Sequence, residues 1–212
     1  MAATPASRKQ GRPPGPSLKG AATRRHVIDS AATVFAELGY DRARMSQLVE
    51  ATGMTKGAVY FHFDSKEALA LAVLEIKHQE WVAQVTERLA PIPPGRSRLQ
   101  ALLPVMLDLH STDPSTWAIS KLTQNLAELP ATRPDVARLT RRWIELVAEV
   151  IRDAQELGEC RPDSDPVATA TVLVGAFDGI KAIHDAANTP DGPAFATTAE
   201  VFSTIVLGHL LR

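Results

Sequence analysis

The chain has 212 residues, 45 % of them hydrophobic and 22 % charged, with a net charge of −1, which describes an ordinary soluble protein able to bury a core unaided. Its single cysteine, Cys160, excludes an internal disulfide and fits a reducing cytoplasm. No apolar stretch follows the early basic residues as a signal peptide requires, and no charge-free run is long enough to span a bilayer, so a cytoplasmic protein without a membrane partner is expected.

The charge is unevenly placed. Residues 1–63 carry nine basic and four acidic side chains, a balance of +5, and the remainder carries fourteen and twenty, a balance of −6. A basic front and an acidic back suggest that the front alone meets a polyanion.

Residues 1–22 are rich in Ala, Pro, Gly and basic side chains without periodicity, and read as a disordered basic arm. Its Gly11-Arg12-Pro13 is similar to an AT-hook. Two readings stay open: Arg12 in a narrow minor groove, or a solvated tail making loose phosphate contacts.

From Thr23 the pattern turns helical. Ile28, Ala31, Ala32, Phe35 and Leu38 form one buried stripe, and Gly39 stops it. A second, short helix covers Met45–Thr52, Gly53 breaks it, and a third runs from Thr55 to His62. Asp64, with Glu67 three residues on, reads as the capping box of a long helix ending near Leu89, where Pro91, Pro93 and Pro94 stop it.

Four more helical segments follow: Leu99–Leu109, Trp117–Leu129, Leu139–Ala154, and one opened by Asp165-Pro166 as cap and first residue. A last helix is expected behind Thr197-Thr198-Ala199-Glu200. Without a convincing strand, the fold class is all-α: an N-terminal three-helix helix-turn-helix domain (23–68) and a C-terminal helical ligand-binding and dimerisation domain (69–212).

Two short helices joined by a glycine turn, the second bearing basic and aromatic residues, describe a helix-turn-helix. Lys56 and Tyr60, four apart, share a face. Lys56 can reach phosphate or a guanine edge, Tyr60 can donate to phosphate, Gly57 lets the backbone sit deep in the groove, and Thr55 can cap the helix, contact phosphate or do both. Val59 and Phe63 are expected to pack inward. The plain alternative is a short helix with an ordinary solvated surface.

The stretch Gly39-Tyr40, Leu48-Val49-Glu50-Ala51-Thr52-Gly53-Met54-Thr55-Lys56-Gly57-Ala58-Val59-Tyr60-Phe61-His62-Phe63 and Lys66-Glu67-Ala68-Leu69 resembles the signature of the TetR family of regulators. Tyr60-Phe61-His62-Phe63 followed by Ser65-Lys66-Glu67-Ala68-Leu69-Ala70 is similar to the subgroup that binds γ-butyrolactone signals and controls antibiotic production. The resemblance implies about nine helices, a homodimer on double-stranded palindromic operator DNA, repression relieved by a small-molecule effector, and no cofactor. It implies phosphate contacts from Thr55, Tyr60, His62 and Lys66, with Lys56 and Gly57 near the bases or backbone. One departure is that the hydroxyl pair expected before the second helix is Ala43-Arg44 here, so Arg44 would offer a charge in place of a cap.

In the back domain Trp117 and Trp143 are either simple core or walls of a ligand pocket, the resemblance favouring Trp143. Gln124, beside Leu122 and Leu126, either orients a ligand or is exposed. Phe177, Ile180, Phe202 and Ile205 lie on apolar stripes that either make a four-helix dimer interface or face their own core. An enzyme is not expected, because His110, Asp113, His184, Asp185 and His209 are scattered without nucleophile or metal-ligand spacing. A DNA-binding dimer without any ligand would share the same front half.

Overall fold

The computed structural model describes residues 18–112, 116–187 and 193–211. Among these residues it is all-helical: α1 (Leu18–Arg42), α2 (Met45–Ala51), α3 (Lys56–His62), α4 (Lys66–Leu89), α5 (Arg96–Thr112), α6 (Thr116–Glu128), α7 (Arg133–Glu156), α8 (Pro166–Ala186) and α9 (Pro193–Leu210). Among the described residues an isolated β-bridge joins Cys160 and Leu211.

The front core is built as its periodicity predicts. Val27, Ile28, Ala31, Ala32 and Phe35 of α1 are fully buried, and Gly39 interrupts the helix at φ 74°, a conformation that favours glycine. Helix α1 starts at Leu18, so Leu18–Ala22 are helical where an unstructured arm was expected; Arg12 lies outside the described residues.

The cap of α4 is Ser65 rather than Asp64, its hydroxyl accepting from the Ala68 N–H at 3.1 Å. Helix α9 begins at Pro193, not behind Thr197-Thr198, and Thr198 instead donates back to the Ala194 carbonyl. Asp165 caps α8 as expected, accepting from Ala168 at 2.7 Å.

Packing does not divide at residue 68. Leu122 and Leu126 of α6 and Val136 and Leu139 of α7 belong to the same core as α1–α3. Three helices, two of them seven residues long, bury too little surface alone, and α6 covers the face of α1 that α2 and α3 leave open. A second core joins the far half of α4 to α5, α7, α8 and α9. Thus α4 belongs to both. Ion pairs tie it to α1: Arg25 to Asp29 and Glu80, and Lys77 to Asp29 (3.2 Å) and Glu80 (3.0 Å). Each such partly exposed pair contributes at most about 1 kcal/mol, but together they fix the α1–α4 register.

Candidate nucleic-acid interface and effector cavity

The turn between α2 and α3 is held from three sides. Gly53 takes φ 64°. The buried Thr52 hydroxyl donates to the Val49 carbonyl (2.7 Å) and accepts from the Met54 N–H (3.1 Å), and a ring nitrogen of His26 meets the Thr52 carbonyl at 2.9 Å. Helix α3 is anchored by the fully buried Val59 and by Phe63 behind it. The Thr55 hydroxyl accepts from Ala58 at 3.3 Å, so this residue caps α3 and remains on the surface.

The outward face of α3 carries the residues expected to read DNA. Lys56 and Gly57 are exposed, the Lys56 ammonium stands 5.4 Å from the Tyr60 ring centre, and Tyr60 is partly exposed. Phe61 is 84 % exposed and packs edge-on against half-buried His62. A ring so placed on a groove-facing helix can meet a thymine methyl; as one aromatic in an aromatic run, it was not separated from its neighbours by sequence.

Lys66 has a different immediate task from the phosphate contact implied by resemblance. Its ammonium donates to the carbonyls of Tyr40 (3.0 Å) and Ala43 (3.2 Å) and lies 4.2 Å over the Tyr40 ring, tying the end of α1 to the start of α4. Burial, with Glu67 nearby, pushes the Tyr40 phenol up to about 12. Arg44 is exposed at the start of α2 and offers no acceptor as a cap; its own N–H donates to the Gln47 side chain at 2.9 Å, which satisfies one helix-end donor.

A Cβ at Gly57 would meet nothing within 4 Å. The glycine is therefore unexplained by the fold and fits a backbone that approaches DNA. Gly57→Ala is expected to leave the melting temperature unchanged or slightly raised, by at most about 1 kcal/mol of stability, while weakening operator binding about ten-fold. Unchanged binding in a gel shift would remove Gly57 from the interface.

A cavity of about 80 Å³ lies behind, walled by five helices. His78 and Trp81 come from α4, Met106 from α5, and Thr116, Ile119, Ser120 and Thr123 from α6. Thr140 and Trp143 come from α7, and Val174, Phe177, Asp178 and Lys181 from α8. Trp81 and Trp143 pack edge to face at 6.0 Å.

Several expectations need correcting. Gln124 is exposed and off the cavity; its neighbour Thr123 lines the wall, because α6 turns about 100° per residue. Phe177 is 3 % exposed within a single subunit, lining the cavity and packing on His110 and Phe195, so it is not a surface residue awaiting a partner. Ile180 and Phe202 are half-buried, and Ile205 is exposed. The Trp117 side chain lies outside the described residues.

Exposed large apolar side chains on the last two helices are Val167, Val172 and Ile183 of α8 and Val201 and Ile205 of α9. Pro166–His184 is, by length and composition, long and apolar enough to cross a membrane, contrary to the sequence expectation. It nevertheless carries Asp178 and Lys181, which pair with each other and line the bundle interior.

Sequence reasoning missed Trp81, His78 and Lys181. Each had a signal. His78 and Trp81 are three apart and continue the buried stripe through Leu74 and Val85. Lys181 falls on the stripe Val174–Phe177–His184, an inward position for a charged residue.

Residues 27–73 match the model described as bacterial regulatory proteins, tetR family, and residues 91–210, more than half of the chain, match BetI-type transcriptional repressor, C-terminal. The chain belongs to the TetR family. TetR-family members are transcription regulators rather than enzymes, bind operator DNA as dimers and often respond to small molecules; this chain is accordingly a DNA-binding transcription regulator of that family. It is 30 % identical to the A-factor receptor protein of Streptomyces griseus over 77 % of this chain, although the alignment spans only 55 % of that relative's length. It is 28 % identical to the transcriptional repressor DhaR of a Mycobacterium species over 74 % of this chain and 79 % of that one. A solved structure concerning control of antibiotic production by bacterial hormones superposes with a TM-score of 0.74 at 30 % identity, covering 92 % of this chain and all of the other.

Proposed function

We propose that this chain is a homodimeric cytoplasmic repressor that leaves a palindromic operator when a small signalling molecule, related to the γ-butyrolactone autoregulators, enters the cavity between α4 and α8. The similarity to an A-factor receptor supports the ligand class. The carrying observation is that only three residues separate the end of α3 from the start of α4, which contributes His78 and Trp81 to the cavity wall. Those side chains lie about 20 Å along the helix from its start.

The volume supplies the coupling. An engineered cavity of about 150 Å³ holds one benzene, and this one measures about 80 Å³. A signalling molecule therefore has to part the walls, and α4, welded to the front core by Leu69, Val73 and the Arg25 and Lys77 ion pairs, carries the movement to α3. In a two-fold dimer the two recognition helices sit about 34–36 Å apart on DNA, and rotation of each subunit breaks that match. Exposed Val172, Ile183, Val201 and Ile205, with the small residues Gly175 and Gly179 beside them, supply the apolar face on which the partner subunit docks.

The same small volume favours a second reading, a DNA-binding dimer that takes no ligand. Gel shifts on its own promoter region, with scrambled competitor at fixed salt, separate the two. Solvent extracts and pure γ-butyrolactones are then added. The expected result is a specific complex released by the ligand, with tighter ligand binding to free than to operator-bound protein. Equal ligand affinity for the two forms would overturn release by effector, because a ligand moves an equilibrium only through differential affinity.

A further inference from the structure

Three consecutive residues of α1 reach three different parts of the molecule. The Arg24 guanidinium lies 4.9 Å over the ring of Phe63, the residue that closes α3. His26 Nε2 meets the carbonyl of Thr52 at 2.9 Å, in the turn that opens α3. A carbonyl only accepts, so Nε2 carries the hydrogen. Between these two, Arg25 bonds to Asp29 at 2.8 Å and to Glu80 of α4. The start of α1 therefore grips α3 before and behind, and the same turn of α1 is held to α4.

On α4 the partners of α1 alternate with the cavity wall. Lys77, paired with Asp29 and Glu80, precedes His78, and Glu80 precedes Trp81. Residues three apart are neighbours on a helix surface. Lys77 and Glu80 thus form one row against α1, while His78 and Trp81 form the adjoining row against the cavity. A push on the second row displaces the first. Thr52 spends its hydroxyl on Val49 and Met54, within α2 and the turn, so the His26 bond is a contact that brings α1 to it.

We propose that His26 is a positioning residue for the recognition helix, and that the Arg25–Asp29–Lys77–Glu80 cluster couples it to the cavity wall. This deepens the effector-release reading and rests on it, giving the movement of α4 a second way to α3, through α1. Exposed ion pairs add little to stability one by one. Four alternating charges nonetheless oppose sliding, because one displacement separates several pairs together. The start of α1 is then an element that both the cavity and the DNA-reading turn can bias, which is what coupling between distant sites requires.

Operator affinity of the full chain is read as the ratio of specific to scrambled DNA at fixed salt, which cancels the general gain from removing negative charge. His26→Leu is expected to lower that ratio about ten-fold, and His26→Gln, which keeps an N–H donor, to recover most of it. Asp29→Asn with Glu80→Gln is expected to cost about five-fold; added to His26→Leu, the total stays near ten-fold instead of the roughly fifty-fold of independent sites. Thr140→Phe places a ring in the cavity in lieu of an effector. It is expected to cost about ten-fold in the natural chain and no more than about two-fold once the cluster is cut. Amide exchange at Gly53 and Met54, followed by NMR without DNA, is expected to quicken about five-fold in His26→Leu and in the cluster variant alike.

Additive losses, no recovery in His26→Gln, or unchanged exchange at Gly53 and Met54 overturns the proposal. So does a Thr140→Phe loss that is absent in the natural chain or undiminished after the cluster is cut, because α4 alone then serves α3. If Thr140→Phe does not fold, Thr123→Phe supplies the ring from α6. A merely structural role for His26 would lower the melting temperature and leave the losses additive. These measurements use no effector, so their failure leaves effector release to the extract screen. An extract screen without release, beside coupled variants, would fault effector release alone.

Discussion

Lys56→Ala combined with Tyr60→Phe is expected to lower specific operator affinity by a factor of about 100 to 1,000, with no change in melting temperature. Both side chains point away from the core, and Val59 between them carries the packing of α3, so the fold loses nothing. A good side-chain contact to a base edge contributes about 1–3 kcal/mol and a hydrogen bond to a charged phosphate about 1.5–3 kcal/mol, and in a two-fold dimer each substitution acts twice. Four losses near the lower limit come to about 4 kcal/mol, or roughly three decades of affinity at about 1.4 kcal/mol each.

The two single variants separate charge from geometry. Lys56→Ala removes two cations per dimer and should reduce the slope of log affinity against log salt by about 2. Tyr60→Phe removes a hydroxyl and no charge, so it should weaken binding at an unchanged slope. Gel shifts or fluorescence anisotropy between about 50 and 200 mM salt measure both. Full affinity in the double variant would take α3 out of the groove, whereas a lowered melting temperature would mean that the fold, not the interface, had been damaged.

The front of the molecule was legible because its signals are local. The α1 stripe, the glycine stops at Gly39 and Gly53 and the inward Val59 and Phe63 each follow from spacing along one helix, and the structure has all of them. Caps were less legible: Asp64 and Ser65 are adjacent acceptors, and only the backbone turn decides that Ser65 faces Ala68. The cavity was illegible as a whole, since five helices contribute to it and no pair of lining residues more than a few positions apart announces its partner. Phe177 shows the difficulty. An apolar stripe on α8 is equally compatible with a partner subunit and with its own core, and only the placement of α5 and α9 puts Phe177 against His110 and Phe195. Lys181 illustrates the opposite case, a polar residue on an apolar stripe that was readable as an anomaly but not interpretable without the wall that it faces.

Stability is expected to fall by about 4 kcal/mol between pH 7.5 and pH 5, from two buried histidines. Burial, assisted by Arg142 and Arg138, pushes His78 down to about 4. Burial, assisted by Lys181, pushes His110 down to about 3; its Nδ1 meets the Thr116 hydroxyl at 2.8 Å and its ring packs on Phe177 and Phe195. Both folded pKa values lie below the unfolded value of about 6.5. The unfolded chain therefore binds protons that the folded chain refuses, so the stabilisation is complete above about pH 6.5 and is lost as pH falls towards the folded pKa. At pH 5 each histidine has given up about 1.5 pH units at about 1.4 kcal/mol per unit, close to 2 kcal/mol. For a domain stable by about 5–15 kcal/mol that is a large fraction. Asp29 and Glu67 are held below the usual carboxylate range, and their contribution is lost only in stronger acid, so the window from pH 7.5 to 5 isolates the histidines. Urea denaturation at several pH values measures the slope. His110→Asn, which keeps a hydrogen-bonding atom near the Nδ1 position but cannot titrate, should roughly halve it even if the variant starts from a lower stability. A flat stability profile in the natural chain would mean that these rings are charged or hydrated in the folded protein. Neutral His78 in the cavity wall also leaves Lys181 as the cation lining the cavity among the described residues, so acid conditions that protonate His78 would add a second positive charge beside the effector just as the fold weakens.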